Sequence, residues 1–428
     1  MEYKVSVIAD DLTGSNDCGI KLAQNGLKTK VILNAESVNI TDNSSYVINS
    51  NSRAMNKDSS YEINKKIAKM IKDKSFDLIY KKIDSTLRGH IITEIEAINE
   101  IIDFDLIVIA PAFPEMNRVT KSGEHFVNGQ LITDTSLKND PVFPIYNSEI
   151  KTLLSDSFNS ELVNLYLDEI HNQDYFNNKI DYIKQNKKKY IISDIECEKD
   201  FKLLIDKVYK HYNKILWVGS AGLIKHLAPE KNISEYQPKK IKSTSTITVS
   251  SSMSEISISQ INEATYNNTE TVNLGINVYE LVKRYNENQY ADYINTGINY
   301  MEKYKNLVIY AKNDEVSNQK LKEYTNLHNI STDDVSKMIV KSITKIFIGI
   351  YNITRSNSII LIGGDTANEV LSQLKIGSLK LIGEIEEGVP YGSAVTQNGR
   401  LNLVTKAGAF GNQKTIFNAI NFLEGEII

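Results

Sequence analysis

Short apolar runs rich in Val, Ile and Leu recur along this chain, separated by longer stretches with helical periodicity. That alternation constrains the fold more than any other feature. Parallel strands need long crossovers, usually helices, so strand–helix alternation points to α/β architecture with mostly parallel sheets. In the first half the pattern predicts strands at Val5–Ala9, Lys30–Leu33, Tyr46–Asn49, Leu78–Lys82, Leu106–Ala110, Tyr190–Ser193 and Ile215–Val218. Helices are expected at Ser15–Asn25, closed by Gly26, and at Ser59–Asp73, Thr93–Ile102, Asp174–Gln185 and Phe201–Tyr212. Between Pro229 and Thr246 two prolines, a Lys-Lys pair and a Ser/Thr cluster read as a linker. A second series then predicts strands at Thr246–Ser250, Thr271–Asn273, Leu307–Tyr310, Ser358–Ile362, Lys380–Ile385 and Leu401–Thr405. Its helices are expected at Ser257–Asn267, Val278–Arg284, Asp333–Thr354, Thr366–Leu374 and Thr415–Leu423. The expectation is two α/β domains, 1–235 and 245–428, in agreement with a length of 428 residues.

Composition removes several classes. At 41% hydrophobic and 24% charged residues the chain is neither disordered nor a coiled coil. The balance of 49 basic and 53 acidic residues, net −4, argues against a nucleic-acid partner. Only two cysteines, Cys18 and Cys197, exclude a disulfide scaffold and a multi-cysteine zinc site and suit a reducing compartment. The N-terminus carries no basic segment followed by an apolar core, and no apolar run approaches the ~18 residues of a membrane span. A cytoplasmic protein without a membrane partner is expected.

Chemistry concentrates where predicted strands end. Ile8-Ala9-Asp10-Asp11-Leu12-Thr13-Gly14 places two adjacent carboxylates after the first strand, where ligands of open α/β sheets sit. They can bind a cation, accept hydrogen bonds from sugar hydroxyls or take a proton. The alternative is that one caps the helix and the other is solvated. Haloacid-dehalogenase phosphatases need their aspartates at i and i+2, so adjacent ones exclude that class. Tyr80-Lys81-Lys82-Ile83-Asp84-Ser85-Thr86-Leu87-Arg88-Gly89 repeats the arrangement with Lys82, Asp84, Ser85 and Arg88. Such a group suits either an anionic, hydroxylated substrate or a surface salt-bridge network. Arg53 adds a cation after the strand ending at Asn49. Pro111-Ala112-Phe113-Pro114, with Arg118, Thr120, Gly123, His125 and Gly129 beyond, reads as an ordered irregular loop; His125 is either a base or, as a lone loop histidine more often is, structural.

In the second half, Ile362-Gly363-Gly364-Asp365-Thr366 joins a strand to a helix through two glycines. Main-chain N–H groups and the helix dipole make such a junction suitable for an anion. Gly219–Gly222, Gly383–Gly392 and Lys406–Gly411 read as similar turns, and Ser250-Ser251-Ser252-Met253-Ser254 adds hydroxyls. Together they favour a phosphate or nucleotide site. The P-loop fails at Gln413, and neither the dinucleotide fingerprint nor the protein-kinase motifs occur.

Taken jointly, these motifs resemble the four-carbon acid sugar kinases, the family of D-threonate, D-erythronate and 3-oxo-tetronate kinases. The likeness runs through Ile8–Asn16, Tyr80–Gly89, Ala110–Thr135, Asp140–Pro144, Gly219–Gly222, Ser250–Ser254, Gly363–Ala367, Gly383–Gly392 and Thr405–Gly411, in order and spacing. It implies a sugar-acid-binding N-terminal domain, a nucleotide-binding C-terminal domain and an active site in the cleft between them. It also implies transfer of the γ-phosphoryl group of ATP, with Mg²⁺, to the terminal hydroxyl of the acid. Asp10, Arg53, Lys82 and Arg88 would then bind substrate, Arg53 and Arg88 gripping its carboxylate. Asp11 would be the proton acceptor, with Asp84 the alternative. Ser252, Ser254, Gly363, Gly364, Asp365, Thr366 and Gly408 would line the nucleotide, and no residue is assigned to a metal. Ser15, Cys18, Ser251, Met253 and Ala409 depart from the family pattern. The partners implied are a small sugar acid and ATP; the oligomeric state, homodimer included, is left open. A same-fold kinase for another aldonic acid and a non-catalytic sugar-acid sensor are the alternatives. A two-domain dehydrogenase lacks its fingerprint.

Overall fold

The computed structural model describes residues 3–33, 40, 42–140, 142–154, 162–229, 243–286, 289–312, 314–408 and 410–425. The chain divides into two compact units, Met1–Tyr236 and Gln237–Ile428. Most of the segment read as a linker, and Ala409, lie outside the described residues.

The main strands of the first unit are β1 (Val5–Ala9), β2 (Thr29–Ile32), β3 (Ser45–Asn49), β4 (Leu78–Lys82) and β5 (Leu106–Ala110). A small sheet of β6 (Arg118–Lys121), β7 (Glu124–Val127) and β8 (Gln130–Leu131) follows, then β9 (Leu162–Leu165), β10 (Tyr190–Ser193) and β11 (Ile215–Gly219). The main sheet runs β2-β3-β1-β4-β11-β5-β10-β9, every neighbouring pair parallel. β1, β3, β5 and β11 are buried at every position, as strands covered on both faces must be. Ile8, Ile48, Ile107 and Leu216 pack with Ile67 of helix Lys57–Lys72 and with Ile95 and Ile98 of helix Ile91–Ile102. The chain passes from β1 to β2 and β3 on one side, then crosses to β4 on the other. The carboxyl ends of β1 and β4 therefore flank a topological switch point, where such sheets bind ligands.

The small sheet corrects one expectation. The stretch after β5 is not an irregular loop, because β6, β7 and β8 pair antiparallel. Its turns are Ser122-Gly123 and Asn128-Gly129, with φ of 52°, 77°, 52° and 79°. Two successive positive φ values are what a type I′ hairpin requires, and Asn-Gly is its strongest sequence signal.

The second unit contains β12 (Thr246–Ser250), β13 (Thr271–Asn277), β14 (Asn306–Lys312), β15 (Ser358–Ile362), β16 (Ser378–Glu384), β17 (Pro390–Thr396) and β18 (Gly399–Lys406). Their order is β13-β14-β12-β15-β18-β17-β16. The sheet is parallel from β13 to β18, and β16 and β17 are antiparallel additions. Val308, Ile360, Ile362 and Val404 pack with Ile261 of helix Glu255–Asn267 and with Ile416 and Ile420 of helix Thr415–Glu424. Here too the chain turns away from β12 to β13 and β14, then returns to β15. A second switch point lies between the ends of β12 and β15. Gly383–Gly392, expected as a strand-to-helix turn, instead belongs to the β16–β17 hairpin. Gly392 sits so close to the neighbouring strand that a Cβ there would lie 2.4 Å from the Lys380 carbonyl oxygen.

Candidate functional site

In the first unit the predicted residues Asp10, Asp11, Arg53, Lys82, Asp84 and Arg88 gather at the ends of β1, β3 and β4. Asp10 follows β1 directly and is 2% exposed. Asp11 caps helix Leu12–Gln24, its Oδ1 accepting the Gly14 N–H at 2.8 Å. The capping alternative is thus real for Asp11, while Asp10 is buried rather than solvated. Arg53 closes on both carboxylates. Its Nε and Nη2 donate to the two oxygens of Asp10 at 2.7 and 3.0 Å, and Nη1 donates to Asp11 Oδ2 at 2.9 Å.

Lys82, the last residue of β4, is buried beside the same pair and donates to the Ile83 carbonyl at 2.9 Å. A Cβ at position 14 would lie 2.6 Å from both Lys82 Nζ and Asp11 Oδ1, so glycine leaves room for that approach. Asp84 accepts from Thr86 Oγ1 at 2.5 Å and Arg88 Nε at 2.6 Å, and Arg88 Nη1 donates to Asp140 at 3.2 Å. Burial of Asp84 and Lys82 argues against a solvated surface network for this group.

The two candidate bases sit in opposite fields. Burial raises the Asp11 carboxyl above its ordinary range, Arg53 opposing and Asp10 reinforcing the shift. Burial would also raise Asp84, but Arg53 and Arg88 outweigh it and hold that carboxyl well below the ordinary value. Burial would discharge Lys82, yet Asp10 and Asp11 keep its pKa raised. The Asp11 side chain keeps 25% of its surface exposed, against 2% for Asp10 and 10% for Asp84.

Further neighbours of this group follow from tertiary structure. Arg118, on β6, donates to Ser85 Oγ through Nη1. His125, on β7, is fully buried and donates from Nε2 to the Ser85 carbonyl at 2.8 Å. Burial pushes its pKa down to about 4, so it is a neutral support for the Ser85 turn. Behind Arg53, Ser52 donates to Glu94 at 2.5 Å, and Glu94 pairs with Lys81 at 2.6 Å, both carboxylate and ammonium buried. Hydrophobic pattern could not find Glu94, which lies in the first turn of the amphipathic helix Ile91–Ile102.

In the second unit the turns after β12, β15 and β18 are joined by side chains. Thr366 Oγ1 accepts the Ser251 N–H at 3.2 Å and bonds to Ser251 Oγ at 2.5 Å. Ser254 caps helix Glu255–Asn267 and, with Ser257, donates to the Gly408 carbonyl at 3.3 and 2.6 Å. Ser252 bonds to Ser254 at 3.2 Å. Gly363, at φ +95°, starts helix Gly364–Gln373 with no side-chain cap, so no capping side chain covers the N–H groups of its first turn. Asp365 is exposed in that turn. Lys406 is buried and donates to the carbonyls of Ala407, Gly408 and Phe410 at 2.7, 3.0 and 2.9 Å. Burial lowers its pKa to about 8, Glu386 opposing. Sequence reasoning did not single out Lys406, the clamp of this turn.

Among the described residues no group of three or more His, Cys, Asp and Glu side chains is arranged to hold a metal ion, and no helix is long and apolar enough to cross a membrane.

Comparisons with known proteins fall on the same division. Residues 5–227 match the model of a sugar-binding N-terminal domain, and residues 247–416 that of a nucleotide-binding C-terminal domain. A D-threonate kinase of Salmonella typhimurium is 26% identical over 423 residues, covering 98% of each chain. A 3-oxo-tetronate kinase of Haemophilus influenzae is 24% identical over 96% of this chain and 97% of its own. The crystal structure of a Haemophilus influenzae protein superposes with a TM-score of 0.77 at 21% identity, covering 98% of this chain and 100% of that one.

Proposed function

The chain belongs to the four-carbon acid sugar kinase family, and we propose that it transfers the γ-phosphoryl group of ATP to the terminal hydroxyl of a four-carbon sugar acid. The acid is D-threonate, D-erythronate or 3-oxo-tetronate and the product its 4-phosphate. The observation that carries this reading is the carboxylate–guanidinium group at the ends of β1, β3 and β4, within the part matched by the sugar-binding model. Lys82, Arg53 and Arg88 supply a positive field for an anionic acid, and Asp10 and Asp84 hold those cations in fixed orientations. Hydroxyl groups are bound by N–H donors and carboxylate oxygens, which suits a polyhydroxy acid.

Asp11 takes the proton of the attacking hydroxyl. Its raised carboxyl and partial exposure support it over Asp84, which Arg53 and Arg88 hold as a weak base. The nucleotide binds at the turns that carry Ser252, Ser254, Gly363, Gly364, Asp365, Thr366 and Gly408, its phosphates taking main-chain N–H groups after β15. Mg²⁺ carried on the phosphates needs only one or two carboxylates, since water and phosphate oxygens complete its shell, and Asp365 can supply one. When bound, the ion neutralises phosphate charge.

The test is ADP release from Mg-ATP with a panel of four- to six-carbon aldonic acids. Turnover with a four-carbon acid is expected. ADP release only with longer acids would reject the tetronate substrate, and binding without ADP release would make the chain a sensor.

A further inference from the structure

Two of the three guanidinium groups in the first unit's site already have carboxylate partners. Arg53 engages Asp10 and Asp11, and Arg88 engages Asp84 and Asp140. Arg118 differs. No carboxylate among the described residues forms an ion pair with it, and the hydrogen bond of its guanidinium goes to the neutral Ser85 hydroxyl. Its Nε is buried and has no hydrogen-bond partner among the described residues. A half-buried guanidinium with an unsatisfied donor is costly unless something anionic completes it. Burial lowers the pKa of Arg118, with Asp84 and Asp17 opposing without an ion-pair contact and Arg88 reinforcing, whereas aspartates in direct contact raise those of Arg53 and Arg88.

The local structure holds this residue in place. Arg118 opens β6 just after the short turn Pro114–Met116 and Asn117, whose φ is +53°. Main-chain bonds between Phe113 and Arg118 run both ways, at 2.7 and 3.1 Å. The Ser85 residue that receives Nη1 is itself held through its carbonyl by buried His125. Ser85 sits between Asp84 and Thr86, so Arg118 borders the same turn as the Asp84–Arg88 pair. The hairpin thus brings a fork with no ion-pair partner among the described residues to the substrate group, from an element the first strand-end motifs do not include.

We propose that Arg118 is the residue that takes the carboxylate of the sugar acid, and so sets the preference for an acid over the corresponding neutral polyol. This rests on the sugar-acid reading above and refines it. Arg53 and Arg88, saturated by their own aspartates, orient hydroxyls and the proton acceptor instead. A guanidinium fork matches a carboxylate bidentately, which a lysine ammonium cannot do.

The experiment uses the full-length chain without nucleotide. Calorimetry measures binding of the four-carbon acids and of erythritol and threitol, in which a CH₂OH group replaces the carboxylate. For Arg118→Gln we expect acid affinity to fall by about 10²-fold or more, polyol affinity to change little, and melting temperature to stay near that of the parent. Arg118→Lys is expected to recover only part of the loss. In turnover, KM for the acid should rise while kcat changes far less. If Arg118→Gln weakens acid and polyol equally, or leaves acid binding intact, the assignment of Arg118 is overturned while the kinase reading stands. A parent protein that binds no aldonic acid overturns both.

Discussion

Replacing Asp11 by Asn tests the proposed base with little disturbance of the fold. Asparagine is as good an N-cap as aspartate, so the bond from Gly14 N–H is retained. Arg53 loses one charged partner at Nη1 but keeps both oxygens of Asp10. That lost pair is partly exposed on both sides, 20% and 25%, and removing it costs about 1 kcal/mol or less. The chemical cost is larger. Loss of a positioned general base lowers kcat by about 10²–10⁴-fold, about 3–5 kcal/mol on the barrier. Substrate binding should hold within a few-fold. Steady-state ADP release across pH then reads the role. A base must be deprotonated to act, so parent kcat/KM falls as pH drops through the Asp11 pKa. Because burial raises that pKa, the acid limb lies above the ordinary carboxylate value of 3.8. Asp11→Asn should abolish this limb. Activity within about tenfold of the parent, with Asp84→Asn inactive instead, would refute the assignment.

Three further outcomes follow. Fully buried His125 has its pKa lowered from 6.5 to about 4, which is worth about 3 kcal/mol. Its neutral form is the folded one, so this stability is complete above pH 6.5 and is lost as pH falls toward 4; urea unfolding at stepped pH should show the decline, and His125→Gln should flatten it. Glu94→Gln strands buried Lys81 without its partner, and a loss of about 3–5 kcal/mol is expected in urea unfolding; a loss below about 1 kcal/mol would show the pair to be solvated. A Cβ at Gly408 would lie 2.8 Å from Ser252 Oγ, so Gly408→Ala should push apart the turns after β12 and β18; an increase in KM for ATP with little change in KM for the acid is the expected reading.

Continuous apolar strands were the most legible part of the fold. Leu78–Lys82, Leu106–Ala110, Tyr190–Ser193 and Ser358–Ile362 occur with the bounds expected, because each is a short run with β-branched or leucine residues closed by proline, glycine or polar residues. What escaped was polar or short. β6 is Arg-Val-Thr-Lys, and its hairpin is specified by Ser122-Gly123 and Asn128-Gly129 rather than by hydrophobicity. β17 carries Gly392 for close strand approach and so resembled a turn. Among the described residues of helix Glu315–His328 only Ser317 is buried, leaving almost no apolar stripe to detect.

In the candidate site, strand-end position singled out Asp10, Asp11, Lys82, Asp84 and Arg88. The partnerships were not legible. Arg53 meets Asp10 across 43 residues and Arg118 meets Ser85 across 33, and only the folded sheet brings such distant positions together. Which arginine has a saturated charge and which does not is likewise a tertiary property, invisible to spacing.

The reaction proposed for this chain is phosphoryl transfer to the terminal hydroxyl of a four-carbon acid. Incubation with Mg-ATP and each tetronate, followed by phosphorus–proton correlation NMR of the product, tests it most directly. ADP should form in equal amount with one phosphate monoester coupled to the C4 methylene protons. A phosphate on another carbon, or no phosphorylated tetronate from a protein that binds both substrates, would contradict it.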